Sequence, residues 1–257
     1  MSATTSVVTL RVEDAVAIVT IDRPEARNAV DRAVAEGLAH ATAAAENDAG
    51  VRAAIITGAG GHFCAGMDLK AFLRGEVVRI PGRGFAGVTQ APLAKPWIAA
   101  VEGYALGGGF EIALACDLIV AGDDARFGLP EVKRGLVANA GGLVRLPRQM
   151  PRRIASELVL SGELVAPSWL ASHGLINRVV APGTALDAAL ALAKQIAANG
   201  PLALKASKRV MQDSADWSSD ELFERQNLIT APVFASADAR EGATAFAEKR
   251  TPDWRGE

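Results

Sequence analysis

The apolar pattern in the first part of the chain alternates between strand-like and helix-like blocks. Residues 7–21, VVTLRVEDAVAIVTI, contain two β-branched runs around Glu13-Asp14, which predicts a hairpin. Asp31 precedes a block with helical periodicity, so we predict a helix that Asp31 caps. The apolar residues that recur at helical spacing in this block are Val34, Leu38, Ala41 and Ala45.

The same order of strand and helix recurs further along the chain. VRAAIITG (51–58) is a short apolar run that stops at a glycine, and DLKAFL (68–73) is typical of a helix start. Residues 97–103, 108–116 and 117–122 predict a strand, a helix and another strand. Strands that alternate with helices indicate the α/β class.

From about residue 185 the pattern becomes helical throughout. Successive segments with helical periodicity follow one another, and Pro201 stands where a helix start favours proline. We therefore place a boundary near Asn199-Gly200 and divide the chain into a core, 1–198, and a helical region, 199–257.

Composition narrows the class of protein. The 257 residues include 27 Lys and Arg against 29 Asp and Glu, and the net charge of −2 gives no reason to expect nucleic acid or an anionic membrane as partner. The first residues lack a basic region followed by an apolar stretch, and no run approaches the ~18 apolar residues of a membrane span. We expect a cytoplasmic enzyme.

The sequence lacks the motifs of several common kinds of functional site. Cys64 and Cys116 have no CxxC or Cys/His spacing, so we expect no disulfide framework, and the apolar neighbours of Cys116 indicate that its thiol is buried. The three histidines are scattered without metal-ligand spacing, and GxSxG and GxxxxGK are absent. GAGGHF (58–63) lacks the third glycine of a dinucleotide fingerprint, which argues against the alternative of a nucleotide-dependent oxidoreductase.

Two glycine-rich turns lead from strands into helices. TGAGGHFCAGMDLKAFL (57–73) and GYALGGGFEIALACD (103–117) both cross glycines before a helix start. Glycine in a helix costs about 0.5–1 kcal/mol relative to alanine, so three in succession indicate a special requirement. Unpaired N–H groups at such turns attract a negatively charged oxygen, and two turns could converge on one oxygen.

Two glutamates follow glycine-rich or proline-containing turns. Glu111 follows GGGF, and Glu131 follows Pro130 in FGLPEVKRG. Each glutamate alone is also typical of an ordinary first helical turn. Together with the glycine turns, the pair makes a purely structural role for both glutamates less convincing.

The motifs of the chain resemble those of the crotonase family, also called the enoyl-CoA hydratase/isomerase family. The resemblance covers nearly the whole chain and preserves the order of the motifs. They are IVTIDRPEARNAV (18–30), AIITGAGGHFCAGMDLKAF (54–72), KPWIAAVEGYALGGGFEIALACDLIVA (95–121), ARFGLPEVKRGL (125–136), GLINRVV (174–180) and AFAEKRTPDW (245–254).

The resemblance implies a fold, a substrate class and an assembly. The fold is a spiral core of repeated ββα turns over 1–198, with a C-terminal helical region over 199–257 that mediates trimerisation. Family members act on acyl-CoA thioesters without a metal or redox cofactor and assemble as trimers or as hexamers of two trimers. We expect the same of this chain.

The resemblance also assigns candidate site residues. The backbone N–H groups of Met67 and Gly108 match the oxyanion hole, and Glu111 and Glu131 match the two catalytic glutamates of hydratases. Two carboxyl groups suit the addition of water to a 2-enoyl-CoA, which gives a 3-hydroxyacyl-CoA. The positions that match CoA contacts are Ala26, Arg27, Ala65, Asp68, Leu69, Lys70, Phe246 and Lys249, the last two often contributed by a neighbouring subunit.

One departure from the family pattern bears on the substrate and the reaction. Many hydratases have Pro-Gly where this chain has Ala138-Asn139, beside the water and the acyl tail. Residues 74–90 carry little secondary-structure signal and are expected to shape the acyl pocket. An isomerase, or another enolate-forming reaction on a specialised acyl-CoA, is therefore the alternative enzyme. A non-catalytic acyl-CoA-binding oligomer is the alternative from another class, although it has no need of both glutamates.

Overall fold

A six-stranded sheet forms the centre of the fold. The computed structural model describes residues 7–257, and its sheet has the order β1-β2-β3-β6-β8-β10. All neighbouring strands are parallel except β1 and β2, which form the antiparallel hairpin that the sequence predicts. The strands are β1 Val8–Glu13, β2 Val16–Ile21, β3 Ala53–Gly58, β4 Arg79–Ile80, β5 Gly84–Phe85, β6 Trp97–Val101, β7 Tyr104–Leu106, β8 Leu118–Gly122, β9 Arg126–Gly128 and β10 Arg178–Val180.

Helices alternate with single strands or pairs of strands along the chain, which confirms the α/β class. Asp31 caps the first helix as predicted, because its side chain accepts a hydrogen bond of 2.9 Å from the N–H of Val34. The helices are α1 Arg32–Asn47, α2 Leu69–Leu73, α3 Gly108–Ala115, α4 Gly142–Gln149, α5 Arg152–Ser161, α6 Pro167–Ser172, α7 Ala185–Ala197, α8 Pro201–Asp213, α9 Leu222–Phe234 and α10 Ala237–Glu248.

Short second strands turn the chain into a spiral. After β6 comes β7 and then α3, and after β8 comes β9 and then a short 3₁₀ helix, Pro130–Arg134. These second strands stack on one another, since β7 pairs with β9 in parallel and isolated bridges extend the stack at both ends. The bridges join Cys64 to Ala105 and Phe127 to Val165. The arrangement is the repeated ββα turn that the family resemblance implies.

Both faces of the main sheet are covered. One face carries the large core of β-strand and α1 to α6 side chains, with Trp97, Phe110 and Phe127 fully buried. Helix α7 covers the other face with buried alanines, which pack on Ile18, Ile55 and Ile98. The small alanine side chains allow this helix to approach the sheet closely. The alanines are Ala185, Ala189, Ala193 and Ala197.

Helices α8 to α10 are attached to this core through a few specific contacts. Lys208 on α8 is 5 % exposed, and its Nζ donates to Asp117 Oδ2 and to the carbonyl oxygen of Lys95, both at 2.7 Å. Trp254 Nε1 donates to Ala198 O at 2.8 Å. The proposed boundary between 198 and 199 falls in the link between α7 and α8. That the two parts are separate domains stays a prediction.

Candidate active site

Two turns approach each other closely at the end of β7. Gly66 has a φ of +93°, and a Cβ at this position would lie 2.6 Å from Leu106 O and 3.2 Å from Gly108 N. Only glycine accommodates both the left-handed backbone and this close approach. Gly66 therefore brings the Met67 segment against the start of α3.

Two backbone donors meet at this contact without acceptors. Within residues 7–257, the N–H of Met67 and the N–H of Gly108 donate no hydrogen bond. Gly108 is the first residue of α3, where first-turn N–H groups are unpaired and the helix dipole is positive. These are the two donors assigned to the oxyanion hole, and the fold places them next to each other.

Phe85 covers the same turn from the side of the β4–β5 hairpin. A Cβ on Gly108 would lie 2.5 Å from Cε1 and Cζ of the Phe85 ring. The sequence analysis assigned no element to residues 74–90, because strands of two residues leave no periodic signal. The hairpin forms one wall of the site.

Glu111 lies one turn into α3 and is almost completely buried. The whole residue is 3 % exposed. Its Oε1 accepts hydrogen bonds from the N–H groups of Ala140 at 2.7 Å and Gly142 at 2.8 Å. Burial raises the pKa of Glu111, while the two N–H groups and the positive charges of Arg79 and Arg145 oppose the rise. One carboxylate oxygen is thus fixed by the backbone.

Glu131 is the second residue of the 3₁₀ helix Pro130–Arg134 and lies opposite Gly107. A Cβ on Gly107 would lie 2.9 Å from Glu131 Oε1, so the carboxyl group lies against the glycine turn. Oε2 is buried and has no hydrogen-bond partner in the described part of the chain. Burial raises the pKa of Glu131 to about 7, and the negative charge of Glu111 adds to the rise. A carboxyl group with this pKa can give or take a proton near neutral pH.

The loop that holds Glu111 was only partly foreseen. Ala138-Asn139 departs visibly from the family pattern, but the sequence does not show the role of Ala140 and Gly142, whose N–H groups bind Glu111. Ala140-Gly141-Gly142 precedes helix α4, so a small-residue turn before a helix was the available signal. A Cβ on Gly142 would lie 3.1 Å from Glu111 Oε1, which explains the small residue there.

The two loops proposed to bind CoA lie side by side. Ala65 N donates to Arg27 O at 3.0 Å, and Val30 N donates to Gly66 O at 2.7 Å. The Arg27 guanidinium lies 5.3 Å from the centre of the Tyr104 ring, a cation–π contact. The fold therefore joins the segments that contain Ala26, Arg27 and Ala65, although their contact with CoA stays a prediction.

Asp68 already has partners inside the chain. Its Oδ1 accepts hydrogen bonds from Lys70 N and Ala71 N at the start of α2, and its Oδ2 lies 2.8 Å from Arg23 Nη1. Burial tends to raise the pKa of Asp68, but Arg23 and these N–H groups bring it below its ordinary value. The Asp68 side chain therefore holds the loop in place. Any contact of Asp68 with CoA would have to use atoms that these hydrogen bonds and the ion pair leave free.

The other proposed CoA contacts lie on the surface. Leu69 is 42 % exposed and Phe246 is 88 % exposed. Lys70 is also exposed, as is Lys249, which ends α10 in a left-handed conformation. An exposed Phe246 on the last helix is compatible with a contact to a neighbouring subunit, and all four assignments stay predictions.

The other sequence-based exclusions concern metals, disulfides and membranes. Cys64 and Cys116 are both free and buried, which confirms the buried thiol predicted for Cys116, and burial raises the pKa of each thiol to about 12. Among residues 7–257 no group of three or more metal-ligating side chains is placed to hold an ion. Every helix in the same range is too short or too polar to cross a bilayer.

Comparisons with known proteins agree with this architecture. The family model described as Enoyl-CoA hydratase/isomerase matches residues 11–257. A carnitinyl-CoA dehydratase of Salmonella arizonae is 44 % identical over 247 residues, which cover 93 % of this chain and 94 % of that protein. Enoyl-CoA hydratase EchA19 of Mycobacterium tuberculosis is 42 % identical over 249 residues, covering 93 % and 92 %.

Solved structures include both names as well. An enoyl-CoA hydratase from Mycobacterium tuberculosis H37Rv superposes with a TM-score of 0.97 at 56 % identity, covering 98 % of this chain and 100 % of that chain. A carnitinyl-CoA hydratase from Mycobacterium avium has a TM-score of 0.79 at 49 % identity, covering 99 % and 100 %. The spiral fold, the glycine turns and the family match lead to one assignment: the chain belongs to the enoyl-CoA hydratase/isomerase family and has the crotonase fold.

Proposed function

We propose that this chain is a hydro-lyase that adds water to the 2,3 double bond of an enoyl-CoA thioester and catalyses the reverse dehydration. The observation that supports this best is the placement of two carboxyl groups, Glu111 and Glu131, around two backbone donors without acceptors, Met67 N and Gly108 N. Relatives named hydratase and dehydratase support the same reaction type.

The backbone donors would stabilise the charge that develops on the substrate. When a nucleophile adds to the conjugated double bond, negative charge moves to the thioester oxygen as an enolate. Loss of one preorganised donor to such an oxygen typically costs about 2.7–4 kcal/mol of barrier. The N–H groups of Met67 and Gly108 are held by the turn at Gly66, so they need no reorganisation during the reaction.

The two glutamates would divide the handling of water between them. We assign water activation to Glu111, which is anchored through Oε1 and retains Oε2 for a water molecule. Glu111 accepts a proton from water as the hydroxyl group adds to C3, and Glu131 gives a proton to C2. Proton transfer between the two carboxyl groups then restores the starting state. The sum is one water added without oxidation or reduction, so we propose that no cofactor takes part beyond the CoA of the substrate.

Each competing function would leave at least one of the two glutamates without a role. A double-bond isomerase needs one group that removes and returns a proton, which leaves the second glutamate unused. A non-catalytic binder needs neither a buried carboxyl pair nor a pKa near neutrality. The names of the relatives leave two candidates for the acyl group of the substrate, a simple enoyl chain and a carnitinyl group.

Assembly through the C-terminal helices is part of the proposal. Large apolar side chains on α8 to α10 are exposed in the single chain, which is unusual for a surface that faces only water. We propose that they lie in trimer contacts, and that sedimentation will show three or six chains per particle; a monomer would contradict this. The side chains are Met211, Phe223, Leu228, Phe234 and Phe246, each more than 70 % exposed.

Substitution of the glutamates tests the function. We expect Glu111→Gln and Glu131→Gln each to lower kcat by at least about a hundredfold, while acyl-CoA binding stays within a few-fold of the original, because these groups act in the transition state. Turnover of crotonyl-CoA and longer enoyl-CoA substrates is followed by loss of the conjugated thioester absorbance. Near-native turnover of either variant would refute its assigned role.

A further inference from the structure

An arginine connects the two walls of the site. Arg79 in β4 is paired across the hairpin with Phe85, whose ring covers Gly108. Its Nη2 donates to both the carbonyl oxygen and the Oδ1 of Asn139, each at 3.0 Å. Asn139 directly precedes Ala140, whose N–H binds Glu111. Arg79 thus joins the covering hairpin to the loop that holds a catalytic carboxylate.

The positive charge of Arg79 is not neutralised by a neighbour. No carboxylate in residues 7–257 forms a salt bridge with Arg79, and the residue is exposed. Its charge still reaches Glu111, whose pKa it lowers. By contrast, Arg74 on the same segment is hydrogen-bonded to Glu76 at 2.7 Å. Arg79 can therefore interact with a charge that a substrate brings.

Other cations add to the same field. Arg145 is half-buried next to the Glu111 loop, and its Nη2 donates to Thr89 O at 2.5 Å. Arg134 follows Glu131 in the 3₁₀ helix and lowers the pKa of that glutamate. Three arginines thus act on two carboxyl groups, one of which has a pKa of about 7 and carries only part of its charge at neutral pH. Arg79 and Arg145 therefore place positive charge near Glu111, and Arg134 places positive charge near Glu131.

We propose that Arg79 sets the charge preference of the acyl pocket, so that an acyl group ending in a carboxylate binds better than a neutral one, and a neutral one better than one ending in a quaternary ammonium. This inference rests on the proposed function, because it assumes that acyl-CoA occupies the site. Such a charge preference would distinguish the substrate of this chain from that of relatives named for the carnitinyl group, which carries a trimethylammonium cation.

Binding of saturated acyl-CoA thioesters tests the preference without requiring turnover. The probes are glutaryl-CoA, butyryl-CoA and 4-(trimethylammonio)butyryl-CoA, titrated calorimetrically. A unit charge about 4 Å away in water changes affinity about fivefold, so we expect at least about this factor between successive probes. The differences should shrink at high salt, because screening shortens the range of the interaction.

Three variants assign the effect to Arg79. In Arg79→Gln we expect the three affinities to fall within about twofold of one another, whereas Arg79→Lys should keep the order. The control Arg11→Gln removes the same charge from the edge strand β1, where Arg11 pairs with Glu13, and should leave all three affinities unchanged. An unchanged order in Arg79→Gln, or tightest binding of the cationic probe by the original protein, would overturn the proposal. If the charge order holds but no enoyl-CoA is hydrated, the proposed function fails and the inference on Arg79 stands.

Discussion

At the scale of single residues, the two glutamates differ in how the chain holds them. Glu111 is anchored by two backbone N–H groups, whereas Glu131 has a buried oxygen without a partner among the described residues. Both glutamates can be identified from the sequence as candidate site residues, but the sequence does not show that the chain holds them differently. The anchoring groups belong to a loop that is 29 and 31 residues away in the chain, and only the folded structure brings it to Glu111.

The pKa of Glu131 predicts a pH profile. Because Glu111 accepts one proton while Glu131 gives one, the carboxyl pair must hold a single proton both for hydration and for dehydration. With the pKa of Glu131 at about 7, kcat/KM in both directions should fall above about pH 7, where this proton is lost. Initial rates in both directions from pH 5 to about 9 check this. A kcat/KM that stays constant or rises between pH 7 and about 9 in either direction would contradict the assignment.

The same pKa has a consequence for stability. A carboxyl group whose pKa is higher in the folded state than in the unfolded state favours folding while it is protonated, and this contribution is lost as pH rises through the folded pKa. Glu131→Gln should therefore raise the free energy of unfolding at pH 8 by about 1 kcal/mol, discounted for partial exposure, and by less at pH 5. Urea titrations at the two pH values provide the comparison.

At the scale of helices and strands, the sequence predicts an element well when many residues carry its periodic apolar pattern. The β1–β2 hairpin, the capped helix α1 and the helices after residue 185 are confirmed, because each repeats its pattern over many residues. The strands β4, β5, β7 and β9 have two or three residues each, which is too short for a period. β4 pairs with β5 and β7 pairs with β9, so the position of each short strand is set by its partner strand, and these strands shape the site.

The attachment of α8 gives a prediction at this scale. Lys208→Met should destabilise the chain by about 2–4 kcal/mol, because it leaves the largely buried Asp117 carboxylate without its countercharge. The matched control on the same helix is Arg209→Gln, which removes an exposed i,i+4 pair with Asp213 and should cost at most about 0.5 kcal/mol. Urea unfolding of both variants measures the difference. Equal costs would show that Lys208 does not anchor α8.

At the scale of the whole molecule, the fold serves to bring distant turns together. The donors at Met67 and Gly108 come from two successive turns of the spiral, Glu131 from a third, and the loop that holds Glu111 from a fourth segment. Gly66 and Gly107 allow these turns to meet without clashes. The cost of the glycines before Glu111 is therefore the cost of placing two unpaired backbone donors next to a carboxyl pair.

The central claim is that water is added across the double bond. The most direct measurement is incubation with crotonyl-CoA and a panel of longer enoyl-CoA thioesters in water enriched in ¹⁸O, followed by mass spectrometry of the products. We predict a 3-hydroxyacyl-CoA with one ¹⁸O atom in its hydroxyl group. A product with the mass of the substrate and a displaced double bond, or no product from any member of the panel, would contradict the account.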